Sequence, residues 1–256
     1  MTRPTTPDAC LACQGSSRKV FAISTAFQPI VDISTREIFA YEALVRGPEG
    51  QSAPWVLAQV GPEDLYAFDQ QCRVTAIHAA ARLGIATRLS INFMPNAVYT
   101  PSTCIQATLR AARDTGMPLD RLMFEVTEHE KVVDQAHVRH IIDAYRAHGF
   151  MTALDDYGVG HATAQLLVAI RPDILKLDMA LVRGVQDDPW RQALIRAHFA
   201  FARETGTLVI AEGIETLPEA RALAQLGVTL MQGYYFARPG LETLPVVSDH
   251  LIDQIS

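Results

Sequence analysis

The chain has 256 residues, 49% of them hydrophobic, and a formal net charge of -6 at pH 7. That length can bury a substantial core, in one large domain or two small ones. An acidic balance without a basic block argues against duplex nucleic acid as a partner, and no apolar run is long enough for membrane insertion.

The opening stretch, MTRPTTPDACLACQGSSRKV, has no uninterrupted apolar segment to serve as a signal sequence, so a cytoplasmic protein is expected. Cys10 and Cys13 make a C-x-x-C pair there; Cys72 and Cys104 stand apart, so no second pair completes a four-sulfur zinc site. The surrounding Pro, Thr and Ser residues predict a flexible tail over 1–19, with metal or redox chemistry of the pair as the other reading. One domain is expected over 20–246 and a C-terminal tail over 247–256.

Two strand-like runs come first, TAFQPIVD (25–32) and EIFAYEALV (37–45). The short ISTR between them can make a hairpin but not a crossover, so the pair is expected to be antiparallel. Six further runs follow, RLSINF (88–93), RLMFEV (121–126), FMTALDD (150–156), DILKLD (173–178), TLVIAE (207–212) and VTLMQG (228–233). Helically spaced stretches separate them, and Gly84, Gly116, Gly149, Gly206 and Gly227 each stand shortly before a strand, where a left-handed helix cap belongs. Strands alternating with helices indicate a parallel sheet with crossovers. Eight strands in a chain of this size predict an α/β fold, a TIM-like (β/α)8 barrel with an antiparallel first strand pair. An open doubly wound sheet is the alternative, and it loses ground because no Gly-rich phosphate loop follows the first strand.

Alternation on the second strand puts Glu42, Leu44 and Arg46 on one face and Tyr41, Ala43 and Val45 on the other. Asn92, Glu125, Asp155 with Asp156, Lys176, Glu212 and Gln232 each stand at or near the C-terminal end of a different strand. One such residue is usually a turn former or a helix cap. In a barrel those ends share one face, where active sites are built, so polar residues on seven strands point to one site. Glu42, Glu125, Asp155, Asp156 and Glu212 cannot all be ionised close together without cations between them. Carboxylates with one amide oxygen suit magnesium or manganese. The adjacent Asp155 and Asp156 give a route to two metals, one aspartate bridging both ions, and two such ions would clamp a phosphodiester and activate a water. Lys176 adds a fixed positive charge. The histidines show no metal-binding spacing, and His129, beside Glu128, reads as a loop residue.

The segments FQPIVD, YEALVRG, SINFMP, FEVTE, LDDYGVG, DILKLD, AEGIE and QGYYFARP, in this order and spacing, resemble the EAL domain family of cyclic di-GMP phosphodiesterases. The wording of FAYEALVRG and INFMPNAVY is most similar to the branch joined to flavin-based blue-light sensors. The resemblance implies a TIM-like barrel and hydrolysis of cyclic di-GMP to pGpG with two magnesium or manganese ions. It implies Glu42, Asn92, Glu125 and Asp155 as ligands of the first metal, and Asp155, Asp156 and Glu212 of the second. Lys176 then holds the nucleophilic water, Gln28, Arg46 and Gln232 contact the dinucleotide, Glu215 supports the site, and Glu128 anchors the loop after Asp156. That loop departs from the family wording over Gly158 to Gln165, with His161 for an aromatic and Ala164 for a leucine. The expected partners are a second copy in a homodimer and a separate sensor or regulator protein. Two other readings stay open: a catalytically weak cyclic di-GMP receptor or interaction module, and a barrel lyase with Lys176 as a Schiff-base residue.

Overall fold

A computed structural model describes residues 19–98, 100–126 and 134–255. The tail with Cys10 and Cys13, and Glu128 with His129, lie outside the described residues. β1 (Ser24–Asp32) and β2 (Glu37–Arg46) pair antiparallel, with Gln28 opposite Glu42. The turn between them is closed by Asp32, whose carboxylate accepts from the Ser34 N–H and hydroxyl while its carbonyl accepts from the Arg36 N–H.

Six parallel pairings then run through β3 (Arg88–Phe93), β4 (Leu122–Val126), β5 (Met151–Tyr157), β6 (Ile174–Leu177), β7 (Leu208–Ala211) and β8 (Leu230–Met231). β8 returns to β1, with Val31 opposite Met231, and closes the barrel; β1 is antiparallel to both of its neighbours. The expected barrel and its antiparallel first pair are both present. All five expected cap glycines have positive φ. A ninth strand, β9 (Gly240–Leu241), was not expected; it pairs antiparallel with β1 through Ala26 and Phe27. The C-terminal segment, expected as a tail, carries the short helix Asp249–Asp253, and Ile252 and Ile255 are buried against the main core. No helix among the described residues is long and apolar enough to cross a membrane.

The inside of the barrel is stratified. Ile30, Ala40, Met123, Ala153, Ile174, Ile210 and Leu230 form one buried apolar cluster, one residue from each of seven strands. Two residues further toward the C-terminal rim stand Glu42, Glu125, Asp155, Lys176, Glu212 and Gln232, and on the reversed β1 the counterpart above Ile30 is Gln28. The period of two forces this: residues i and i+2 share a face, so each strand delivers one apolar plug residue and one polar rim residue to the same interior.

The helix Leu65–Arg82 packs its buried face, Phe68, Asp69, Arg73, Ala76, Ile77 and Ala80, toward the barrel. Two charges on that face are tolerated because they are one turn apart and meet, with Nη2 of Arg73 2.5 Å from Oδ2 of Asp69. Arg73 also donates to the Tyr145 hydroxyl at 2.6 Å and lies over the rings of Phe93 and Phe124. Oδ1 of Asp69 accepts from the Met94 N–H at 3.0 Å, which fixes the chain just past Asn92. Arg73→Met strands a buried carboxylate and is expected to cost roughly 3–5 kcal/mol in urea unfolding. Most of that should return in the Asp69→Asn/Arg73→Met double variant, where the introduced amide oxygen still accepts from the Met94 N–H. A double variant no more stable than the single one would refute the charge-pair account.

Candidate active site

The barrel's C-terminal mouth opens into a cavity of about 490 Å³ whose lining includes Gln28, Glu42, Asn92, Asp155, Asp156, Lys176, Glu212, Glu215 and Gln232. Lys176 stands at its centre, fully buried. Its Nζ lies 2.7 Å from Glu125, 2.7 Å from Glu212, 2.9 Å from Asp155 and 3.8 Å from Glu42. Burial alone would pull the lysine pKa down; the carboxylates of Asp155, Glu125, Glu212 and Glu42 outweigh it and hold the ammonium well above its ordinary value. A Schiff-base lysine needs the opposite shift, so the site does not support the lyase reading.

The carboxylates are held in turn. Ser90, one inward step before Asn92 on β3, donates its hydroxyl to Oε1 of Glu125. Nδ2 of Asn92 donates to Glu42 at 3.0 Å, leaving the amide oxygen unused by that bond. Nε2 of Gln232 donates to the other Glu42 oxygen at 2.7 Å, and its own buried Oε1 has no partner among the described residues. Gln28 donates to the carbonyl of Ala237 at 3.1 Å.

A regular strand would send Asp155 and Asp156 to opposite faces. β5 is irregular there: Leu154 pairs with Leu175 and Tyr157 with Leu177, so three steps on β5 match two on β6. The extra residue makes a bulge, and Asp156 adopts a left-handed φ of 51°. Both neighbours therefore reach one place. Ligand oxygens of Glu42, Glu125 and Asp155 lie within 4.8 Å of one another, and so do those of Asp155, Asp156 and Glu212. Asp155 is common to both groups. Five hard carboxylates against one ammonium leave a surplus of buried negative charge, and this donor set fits divalent cations such as magnesium or manganese.

Glu219, which the sequence reading did not single out, holds the loop after β7. Its carboxylate accepts from the N–H groups of Glu215, Thr216 and Gly184, and it completes a capping box with Thr216. The T-x-x-E spacing was the available signal. Glu215 lines the cavity and pairs with Arg183 at 2.5 Å, which fits a supporting place. Glu125, fully buried behind Lys176, does not line the central cavity, and Arg46 is set apart from it as well. Arg46 lines a smaller cavity beside the central one, and the two share Tyr234.

The family profile described as "EAL domain" matches residues 17–239. The chain is 45% identical to a standalone versatile EAL protein from Vibrio cholerae solved in a c-di-GMP bound form, with a TM-score of 0.88, 90% of this chain covered and 98% of that one. BlrP1 of Klebsiella pneumoniae, solved as a manganese/cy-diGMP complex, is 31% identical with a TM-score of 0.83, over 88% of this chain and 58% of that one. The probable cyclic di-GMP phosphodiesterase PdeG of Escherichia coli is 32% identical over 162 residues, 62% of this chain and 31% of that protein. Among these curated relatives the matched part spans 23% to 56% of the relative's length.

Burial raises the Glu125 pKa, Lys176 opposes it, and Glu42 and Asp155 add to it, so the carboxyl is pushed up to about 8. A carboxyl raised in this way stabilises the metal-free fold below the ordinary carboxylate range, and that contribution is lost as pH rises through about 8. A divalent cation needs the ionised form and takes the proton's place. The gain in melting temperature on adding manganese to chelated protein is therefore expected to be larger near about pH 8 than near about pH 6. Calorimetric scans decide it, and an equal or smaller gain at the higher pH contradicts the assignment.

Proposed function

The chain belongs to the EAL domain family, and we propose that it is a metal-dependent phosphodiesterase opening cyclic di-GMP to linear pGpG. The carrying observation is the pair of carboxylate triads that share Asp155 around a protonated lysine. Glu42, Asn92, Glu125 and Asp155 would hold one magnesium or manganese ion, and Asp155, Asp156 and Glu212 the second. When bound, the two ions would supply charge to the scissile phosphate and lower the pKa of the attacking water.

The chain's own groups have separable tasks. Lys176 keeps its proton at Nζ and donates toward the attacking oxygen, so it acts as a fixed charge and orienting donor rather than as a base. Gln232 orients Glu42 through Nε2 and offers its buried Oε1 to a substrate N–H or O–H. Gln28 sits opposite Glu42 in the hairpin register and supports substrate at the rim. Ser90 and Glu219 act through Glu125 and the loop of Glu212, and are positioning residues. Glu128 is proposed, on the family wording alone, to anchor the loop after Asp156.

The test is incubation with cyclic di-GMP and manganese or magnesium, followed by chromatography. pGpG is expected, and exhaustive chelation should abolish it. Asp155→Asn should lower turnover by roughly a hundredfold or more and at least as far as Asp156→Asn, because it serves both ions. Activity surviving chelation would remove the metal mechanism, and tight binding without product would make the protein a receptor.

A homodimer is part of the proposal. Trp190 and Leu194 are exposed one turn apart on the helix Pro189–Thr205, and Val159 is exposed in the altered loop. The same helix touches the base of that loop, with the His198 ring 5.0 Å from Tyr157, next to Asp156. A partner covering these residues would steady the loop that presents Asp156. Activity per subunit is expected to fall on dilution in step with dissociation read by light scattering; constant specific activity through full dissociation would separate the two.

A further inference from the structure

β6 lies between β5 and β7 in the sheet, so the chain leaving β6 passes between the chains leaving its two neighbours. What passes there is the short helix Met179–Val182, which begins three residues after Lys176. It is seated by its cap, the Asp178 carboxylate accepting from the Ala180 N–H at 2.7 Å, and by the Asp178 N–H, which donates to the carbonyl of Tyr157 at 3.2 Å. On one side the helix meets the loop after Asp156, where a methyl on Gly158 would stand 2.6 Å from Cδ1 of Leu181. On the other it meets the loop after Glu212, where a methyl on Gly213 would overlap Cβ of Met179. Both glycines also have positive φ, 110° and 67°.

The loop after Glu212 is closed on its far side too. The Ile214 N–H donates to the carbonyl of Gln232 at 3.1 Å, its carbonyl accepts from the Tyr235 N–H at 3.0 Å, and Gly233 lies against its backbone. Beyond the helix, Arg183 pairs with Glu215 at 2.5 Å, and the Gly184 N–H donates to Glu219, which also holds the Glu215 and Thr216 N–H groups. The helix is tied to Pro189–Thr205 as well, because Arg191 donates to the carbonyl of Ala180. Asp156 and Glu212 are the two carboxylates that belong to the second triad alone. Glu42 and Glu125, which belong to the first alone, are held elsewhere, the one by Asn92 and Gln232 and the other by Ser90 and Lys176. One small element thus packs against the loops of both second-triad ligands.

Resting on the two-metal reading, we propose that Leu181 and Met179 are positioning residues of the second metal site, apolar side chains that ligate nothing and set the gap between Asp156 and Glu212 by packing against Gly158 and Gly213. A cation binds tightly only where its donors already stand at the right separation. Asp156 lies in the β5 bulge and Glu212 one residue past β7, so strand pairing alone leaves that gap to whatever fills it. The helix after Lys176 fills it, and it bears on the second site while the first keeps its own supports.

Manganese titration of chelated protein, with free ion counted by electron paramagnetic resonance, reads the two sites without turnover. Wild type is expected to take up two ions, and Asp156→Asn identifies the step that belongs to the second. Leu181→Ala, which only removes atoms, should weaken that step by roughly tenfold to a hundredfold and leave the other unchanged. Gly213→Ala, which pushes the Glu212 loop off Met179, should do the same from the opposite side; should it fail to fold, Leu181→Ala decides alone. Leu181→Met keeps an apolar contact with Gly158 and should retain most of the affinity. Gly206→Ala is the control for backbone strain: its φ is 73° and a methyl there meets nothing within 4 Å, so it should cost stability and no metal affinity. A fall in both steps together in Leu181→Ala, or in neither, overturns the inference, and so does loss of the second step in Gly206→Ala. Wild type that takes up a single ion overturns it as well. Wild type that binds two ions and yields no pGpG sinks the hydrolase reading alone, and the positioning role then stands on the titration.

Discussion

Everything at the mouth of this barrel follows from the contact between one buried ammonium and the carboxylates around it. Lys176 Nζ is within 3 Å of Glu125, Asp155 and Glu212 and within 4 Å of Glu42. Removing these charges from water is costly, and only close pairing and hydrogen bonding make such a cluster tolerable. One positive charge cannot balance five negative ones, so the protein alone is frustrated at this point: burial raises Glu125 and Glu212 above the carboxylate range despite the lysine. This cluster of hard oxygen donors suits divalent cations, which would relieve that frustration. The same lysine is a common neighbour of both triads and draws their carboxylates together against their mutual repulsion.

The apolar layer beneath allows this. Ile30, Ala40, Met123, Ala153, Ile174, Ile210 and Leu230 fill the barrel one inward step below the charges. A rigid plug at that depth keeps water from entering beneath the carboxylates and fixes the height of every side chain above it. Folding stability and chemistry are thus assigned to successive inward positions of the same strands. A polar substitution in the lower layer would disturb both; one in the upper layer disturbs chemistry first. The Asp69–Arg73 pair extends the principle outside the barrel, using an ion pair screened by Phe93 and Phe124 to hold the chain at Met94.

Much of this was legible in the sequence, for one physical reason. Strand periodicity and helix-capping glycines are local, so the eight barrel strands and the antiparallel first pair could be read from neighbouring residues. The convergence of Glu42, Glu125, Asp155, Lys176 and Glu212 followed once the strands were assigned, because a parallel barrel places their ends together. What escaped was set by contacts distant in the chain. β9 is two residues long and exists only because β1 offers it an edge. Asp69 and Arg73 look like an ordinary solvent-facing i,i+4 pair until the helix is docked. The bulge at Asp155–Asp156 has no glycine or proline to announce it, since aspartate itself tolerates the left-handed backbone.

That bulge shows how adjacent residues come to serve two triads. Had β5 remained regular, Asp156 would face the helices and its carboxylate would not join those of Asp155 and Glu212. The extra residue turns one strand end into two ligands without another element being added. The Asp156 N–H donates to the Asp155 carboxylate and its carbonyl accepts from the Val159 N–H, which ties it to the loop that follows. The altered wording of that loop over Gly158 to Gln165 therefore bears on the second triad more than on the first, whose members Glu42, Glu125 and Asp155 are buried, with Gln232 donating to Glu42 and Ser90 to Glu125. Under the proposed function, regulation applied to this loop would act on the group of Asp155, Asp156 and Glu212 while that of Glu42, Glu125 and Asp155 stays formed, which would change the rate without dismantling the fold.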